Sequence, residues 1–120
     1  KLDLTEYGKL LKILILGMTF KENCNDIRNT KVIDLFNYIK KKVKVSHIYD
    51  PNVNKSSIRK LNLNLVKTPK NYYYDCVILA VPHKQFLQIQ SKKLKKFINK
   101  NGIIFDLKGV LTKEKNIFTL

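Results

Sequence analysis

The sequence is poor in the features that most often announce a function. It has four glycines in 120 residues. None belongs to a G-x-G-x-x-G loop of the kind that lets a dinucleotide pyrophosphate approach the backbone. The two cysteines, Cys24 and Cys76, have no metal-type spacing and are too few for a disulfide framework. They read as reduced thiols of a cytosolic protein. No apolar run approaches the ~20 residues of a membrane-spanning helix, and nothing reads as a signal peptide. Acidic residues number nine against 24 Lys and Arg, a net charge of +15. Only two of those cations, Arg28 and Arg59, are arginines, whereas surfaces that read nucleic acid favour Arg forks with interleaved aromatics. The excess of lysine, beside twelve asparagines, therefore reads first as solvated faces filled by coding bias. Generic attraction for phosphate-bearing ligands comes second, and nucleic acid last.

With 44% hydrophobic residues the chain is globular, and its length makes one domain that buries about two-thirds of its unfolded surface. Residues 12–16, with the continuous apolar run 13–16 stopped by Gly17, predict a buried strand. In residues 31–42, Val32, Leu35, Phe36 and Ile39 recur at helical spacing, with Thr30 or Asn29 as a cap and lysines at the C-terminal end. A second strand, 43–49, ends at Asp50-Pro51. Weaker signals follow: a helix at 54–61, an edge strand at 64–66 and a loop at 68–74. The clearest buried strand is 76–81, closed by Pro82-His83. Residues 84–100 predict two helical pieces broken near Gln90-Ser91 and ended by Gly102, then a last strand at 103–107 and a polar tail.

Strands alternating with helical segments predict an α/β fold: a doubly wound, mainly parallel sheet of about five strands with helices on both faces, a Rossmann-like three-layer sandwich. Ligands of such sheets bind outside the carboxyl ends of the strands. Lys21, Arg28, Asp50, His83 and Lys108 all follow predicted strands and are expected on that rim. Lys21 and Arg28 can bind phosphate, or Asp26 and Arg28 can simply brace the loop. Asp50 can meet a ribose hydroxyl or form an ordinary turn. His83 can act as a base or hydrogen-bond donor, or be structural. Lys108 is a candidate phosphate contact. Cys24 reads as a spectator thiol, His47 as strand packing, and Tyr72, Tyr73 and Tyr74 as loop packing or a platform for a base.

Four segments occur in a telling order. They are Ile13-Leu14-Ile15-Leu16-Gly17-Met18-Thr19-Phe20-Lys21-Glu22-Asn23-Cys24-Asn25-Asp26-Ile27-Arg28-Asn29-Thr30-Lys31, Ile48-Tyr49-Asp50-Pro51, Cys76-Val77-Ile78-Leu79-Ala80-Val81-Pro82-His83-Lys84, and Phe105-Asp106-Leu107-Lys108-Gly109-Val110-Leu111. Together they resemble the C-terminal, UDP-binding domain of the UDP-glucose/GDP-mannose dehydrogenase family, and most of all its bacterial UDP-N-acetylhexosamine 6-dehydrogenases of polysaccharide synthesis. Asn25 stands where that family usually has proline. The resemblance implies part of a cytoplasmic enzyme that oxidises C6 of a UDP-sugar from alcohol to carboxylate while two NAD are reduced. By motif position it implies Phe20 and Lys21 at the nucleotide sugar, Lys108 at the UDP part and Arg28 at the NAD pyrophosphate. It also implies an N-terminal NAD domain and a central region carrying the catalytic cysteine, with a homo-oligomeric whole. On this reading residues 1–11 end an interdomain linker, 12–120 are the UDP-sugar-binding domain, and the chain alone does not turn over. The alternatives are a basic α/β module for nucleic acid or a regulatory nucleotide, and an assembly domain.

Overall fold

A computed structural model of the chain describes residues 9–19, 31–53, 63–86, 94–111 and 114–119. Its elements, in chain order, are β1 (Lys12–Leu16), α1 (Val32–Lys40), β2 (Val45–Tyr49), β3 (Tyr74–Leu79), β4 (Ile98–Asp106) and β5 (Ile117–Thr119). All strand pairs are parallel, in the order β2-β1-β3-β4-β5. The chain runs from β1 outward to β2, then back past β1 to β3, so direction reverses between β1 and β3. A doubly wound sheet opens its ligand crevice at such a reversal.

Period-two alternation divides the strand side chains between two cores. Ile13 and Ile15 of β1 and Ile48 of β2 face α1, where Phe36 and Ile39 are buried. Val32, Leu35, Phe36 and Ile39 occupy i, i+3, i+4 and i+7, so a single stripe of the helix meets the sheet. Leu14, Leu16, Val77, Leu79 and Ile104 face the other way, covered by Phe86 and Leu94 from the segment between β3 and β4. Each core holds at least one fully buried aromatic, Phe36 in the first and Tyr74 and Phe86 in the second.

Several expectations shift. The helix runs over Val32–Lys40 with Lys31 at its N-cap position and no side-chain cap bond; Asn29 and Thr30 lie outside the described residues, as does the helix expected at 54–61. The 64–66 segment adds only an isolated parallel bridge, Leu65 to Ile48. β3 starts at Tyr74, two residues earlier than expected.

The larger correction is at β4, which begins at Ile98 rather than 103. Asn101-Gly102 reads as a helix stop, but here it lies within an irregular strand. While β3 advances from Tyr74 to Cys76, β4 advances from Ile98 to Ile103. Gly102 fits there because a Cβ would lie 2.6 Å from Ile98 Cβ and 3.0 Å from the Tyr74 carbonyl. Asp75 completes the irregularity, accepting the Asn99 side-chain N–H at 2.6 Å and the Lys12 backbone N–H at 2.8 Å. Finally, the polar tail contains β5, three residues paired with the end of β4.

Candidate functional site

Three turns leave the carboxyl ends of neighbouring strands β2, β1 and β3 at the reversal point. The first two are tied by the Gly17 N–H, which donates to the Tyr49 carbonyl at 2.9 Å. The turns after β1 and β3 are tied by Ala80 and Val81, whose N–H groups both donate to the Leu16 carbonyl. Gly17 adopts φ +91°, and a Cβ on it would lie 2.6 Å from Val81 Cβ, 2.7 Å from the Val81 carbonyl oxygen and 2.9 Å from its nitrogen. The open side of this glycine is therefore filled by the β3 turn. A pyrophosphate cradle needs that space empty, so the first turn does not fit a dinucleotide held in the Rossmann manner.

A chain of hydrogen bonds, buried around Asp50 and His83 and part-buried at Asn52 and Gln85, runs through the same three turns. Asp50, just after β2, accepts the Met18 N–H at 2.7 Å and the His83 Nε2–H at 2.9 Å on one oxygen, and the Asn52 N–H at 2.8 Å on the other. The Asn52 side-chain amide donates to His83 Nδ1 at 3.0 Å and accepts from Gln85 Nε2 at 2.7 Å. These directions suit the Nε2–H tautomer of His83. Thr19 Oγ1 lies 3.1 Å from the same Nε2. The side chains of Asp50 and His83 are fully buried. Gln85 Oε1, at the far end, is buried without a partner among the described atoms.

The expected rim is thus partly described. Asp50 and His83 come together, although 33 residues apart, and their functional groups serve each other and the neighbouring turns. Lys108 is exposed on the turn after β4. That turn is shaped by Asp106, whose two oxygens accept the Gly109 N–H at 3.0 Å and the Leu111 N–H at 2.7 Å. Phe20, Lys21, Cys24 and Arg28 lie outside the described residues. Thr19, Asn52, Gln85 and Asp106 had not been singled out as a group. A signal existed for Asn52, because Asp-Pro-Asn is an Asx-turn pattern, in which the carboxylate takes the N–H two residues on.

The remaining candidates sit away from the rim. Tyr74 begins β3, at the amino end of the sheet, and its hydroxyl bonds His47 Nδ1 at 2.8 Å. Tyr73 packs edge-on against Tyr74 and stacks on His47, with Lys12 and Lys70 over its ring at 4.7 and 4.6 Å. Tyr73 and Tyr74 are packing residues at the opposite end from the crevice. Burial, and then the charge of Lys70, lower the pKa of His47 below its usual 6.5. Burial, and then Asp75, push the Cys76 thiol up to about 11, which suits a spectator. No group of three or more metal-ligating side chains occurs among the described residues, and none of their helices is long and apolar enough to cross a membrane.

A parallel 2-1-3-4-5 sheet with its reversal crevice defines a doubly wound α/β domain, the class that takes its ligands at the carboxyl rim. Comparison with known proteins narrows the class. The chain belongs to the UDP-glucose/GDP-mannose dehydrogenase family, whose UDP binding domain matches residues 14–113. It is 40% identical over 105 residues to UDP-N-acetyl-D-glucosamine 6-dehydrogenase of Salmonella typhi, covering 87% of this chain and 25% of that protein. Against the Pseudomonas aeruginosa protein of the same name the identity is 33% over 106 residues, with 88% and 25% covered. Among solved structures, UDP-D-ManNAc dehydrogenase from Pyrococcus horikoshii superposes with a TM-score of 0.71 at 20% identity, covering 93% of this chain and 26% of that one. The chain spans about a quarter of the length of the curated relatives it matches.

Proposed function

We propose that this chain is the UDP-sugar-binding domain of an NAD-dependent UDP-N-acetylhexosamine 6-dehydrogenase of bacterial surface-polysaccharide synthesis, a cytoplasmic and homo-oligomeric enzyme. The observation that carries the reading is the family match over residues 14–113, together with 40% identity to a UDP-N-acetyl-D-glucosamine 6-dehydrogenase. The crevice geometry supports it, since the first turn has no room for a backbone phosphate cradle. Ligand contacts then fall to side chains beyond the turns. Phe20 and Lys21 face the nucleotide sugar, Lys as a point charge, and Lys108 holds the UDP part. Arg28 reaches the NAD pyrophosphate as a bidentate fork from across the cleft. NAD supplies the hydride acceptor and is held by the rest of the longer protein; this chain alone binds the nucleotide sugar and does not turn it over.

Calorimetry with UDP and UDP-N-acetylglucosamine on this chain tests the reading. Both bind weakly, because one half of a cleft lacks the surface that closes on the ligand. Lys21→Ala weakens UDP binding roughly tenfold or more, the value of one charge-assisted hydrogen bond. Lack of UDP binding, with affinity for oligonucleotides that falls steeply with salt, would overturn the reading in favour of a nucleic-acid module.

A further inference from the structure

We infer that Asp50 and His83 are positioning residues for the UDP-sugar site, fixing where the chain leaves the sheet at Thr19 on its way to Phe20 and Lys21. The inference deepens the proposed function and rests on its assignment of those two residues.

Neither side chain is available to a ligand, since both are fully buried. Their hydrogen bonds instead join three turns. Asp50 belongs to the β2 turn, holds the Met18 N–H of the β1 turn and takes the His83 proton from the β3 turn. Asn52 ties the other His83 nitrogen back to the β2 turn, and Gln85 buttresses Asn52. An apolar plug would fill this space at less desolvation cost, as Met18 and Val81 do beside it. A chain of directional bonds does what a plug cannot, because it selects one relative placement of the turns.

Thr19 is the point of transmission. It is buried, its hydroxyl lies 3.1 Å from His83 Nε2, and the preceding amide is held by Asp50. Phe20 is bonded directly to it and Lys21 is the next residue. A displaced Thr19 therefore displaces the cation proposed to meet the nucleotide.

Three variants of this chain separate positioning from filling. His83→Gln keeps the chain, because one amide can donate to Asp50 and accept from Asn52. His83→Leu fills similar space and removes both bonds. Asn52→Ala leaves the Asp50–His83 contact but removes the Asn52 bond to Nδ1, and stands in should the Leu variant fail to fold. With UDP as the probe, His83→Gln binds within threefold of the unmodified chain. His83→Leu loses tenfold or more and Asn52→Ala about threefold, whatever their melting temperatures. Equal binding by Gln and Leu, or by Asn52→Ala and the unmodified chain, overturns the inference. A ligand-free measurement keeps it separate from the functional reading. The Met18 amide, held by Asp50, loses protection from hydrogen exchange in His83→Leu and keeps it in His83→Gln, even if the unmodified chain takes no UDP. Undiminished protection of that amide in the Leu variant refutes the positioning role.

Discussion

Adding one methyl group at Gly17 tests how closely the crevice turns are packed. The residue sits at φ +91°, which costs an alanine about 1 kcal/mol relative to glycine. The new Cβ would also meet three atoms of Val81 between 2.6 and 2.9 Å away, two of them backbone. Backbone cannot rotate aside, so the β1 and β3 turns must separate. That movement lengthens the bonds from Ala80 and Val81 to the Leu16 carbonyl, now 2.9 and 3.2 Å. Overpacking with weakened backbone bonds adds about 2 kcal/mol, for a total near 3 kcal/mol. For a domain of this size that corresponds to a fall in Tm of roughly 12 °C.

Gly109 is the internal control. It also has positive φ, +66°, but a Cβ there meets only Thr119 Oγ1, at 3.3 Å. Gly109→Ala should cost only the conformational part, about 1 kcal/mol. Urea unfolding of both variants reads the difference, about 2 kcal/mol, as the work of prising the turns apart. Val81→Gly in the Gly17→Ala background should recover little, because the carbonyl and amide contacts remain. If Gly17→Ala and Gly109→Ala cost the same, the close approach of the two turns does not constrain the fold and the reasoning is refuted.

Two further tests address parts of the fold outside that contact. His47 has a pKa lowered by burial and by Lys70, so below about pH 6.5 the unfolded chain binds more protons there than the folded one. Stability from this group is complete above that pH and is lost progressively as pH falls below it; the slope of unfolding free energy against pH should flatten in His47→Gln, and an unchanged slope would sink the account. Asp106→Ala removes the side-chain acceptors of Gly109, which keeps its longer 3.3 Å bond to the Asp106 carbonyl, and of Leu111, and should cost about 2 kcal/mol in urea unfolding. Asp106→Asn, with one acceptor oxygen left, should cost about half as much, and equal costs would show that the two bonds do not act separately.

Strand β1 was legible to the residue, because a four-residue apolar run between Lys12 and a glycine has one reading in an α/β chain. The helix Val32–Lys40 was legible from its stripe. Elsewhere local signals competed with tertiary ones. Asn101-Gly102 carries the chemistry of a helix stop, yet the pairing of β3 with β4 uses it inside a strand, with Asp75 filling the gap. β5 is three residues long with two of them exposed, so it had no hydrophobic pattern to read. At the crevice, Asp50 and His83 could be placed on one rim, because every strand of a parallel sheet delivers its carboxyl end to the same side. That they bond each other depends on the 2-1-3 order of the strands, which composition and spacing do not encode.

This order changes what the turn after β1 can do. A strand, a turn and a helix start in succession suggest backbone amides turned towards a phosphate. Two of that turn's amides are already engaged: Gly17 donates to Tyr49 and Met18 to Asp50. Space for a phosphate beside Gly17 is taken by Val81, and the polar groups of Asp50 and His83 are turned inward. The three turns form a floor tied together by hydrogen bonds. A nucleotide binding above it would be met from beyond the floor: of the proposed contacts, Lys21 and Arg28 follow the β1 turn in the sequence and Lys108 stands on the turn after β4. Removing one of those cations should therefore weaken binding without unfolding the domain, whereas disturbing the floor should disturb all its contacts together.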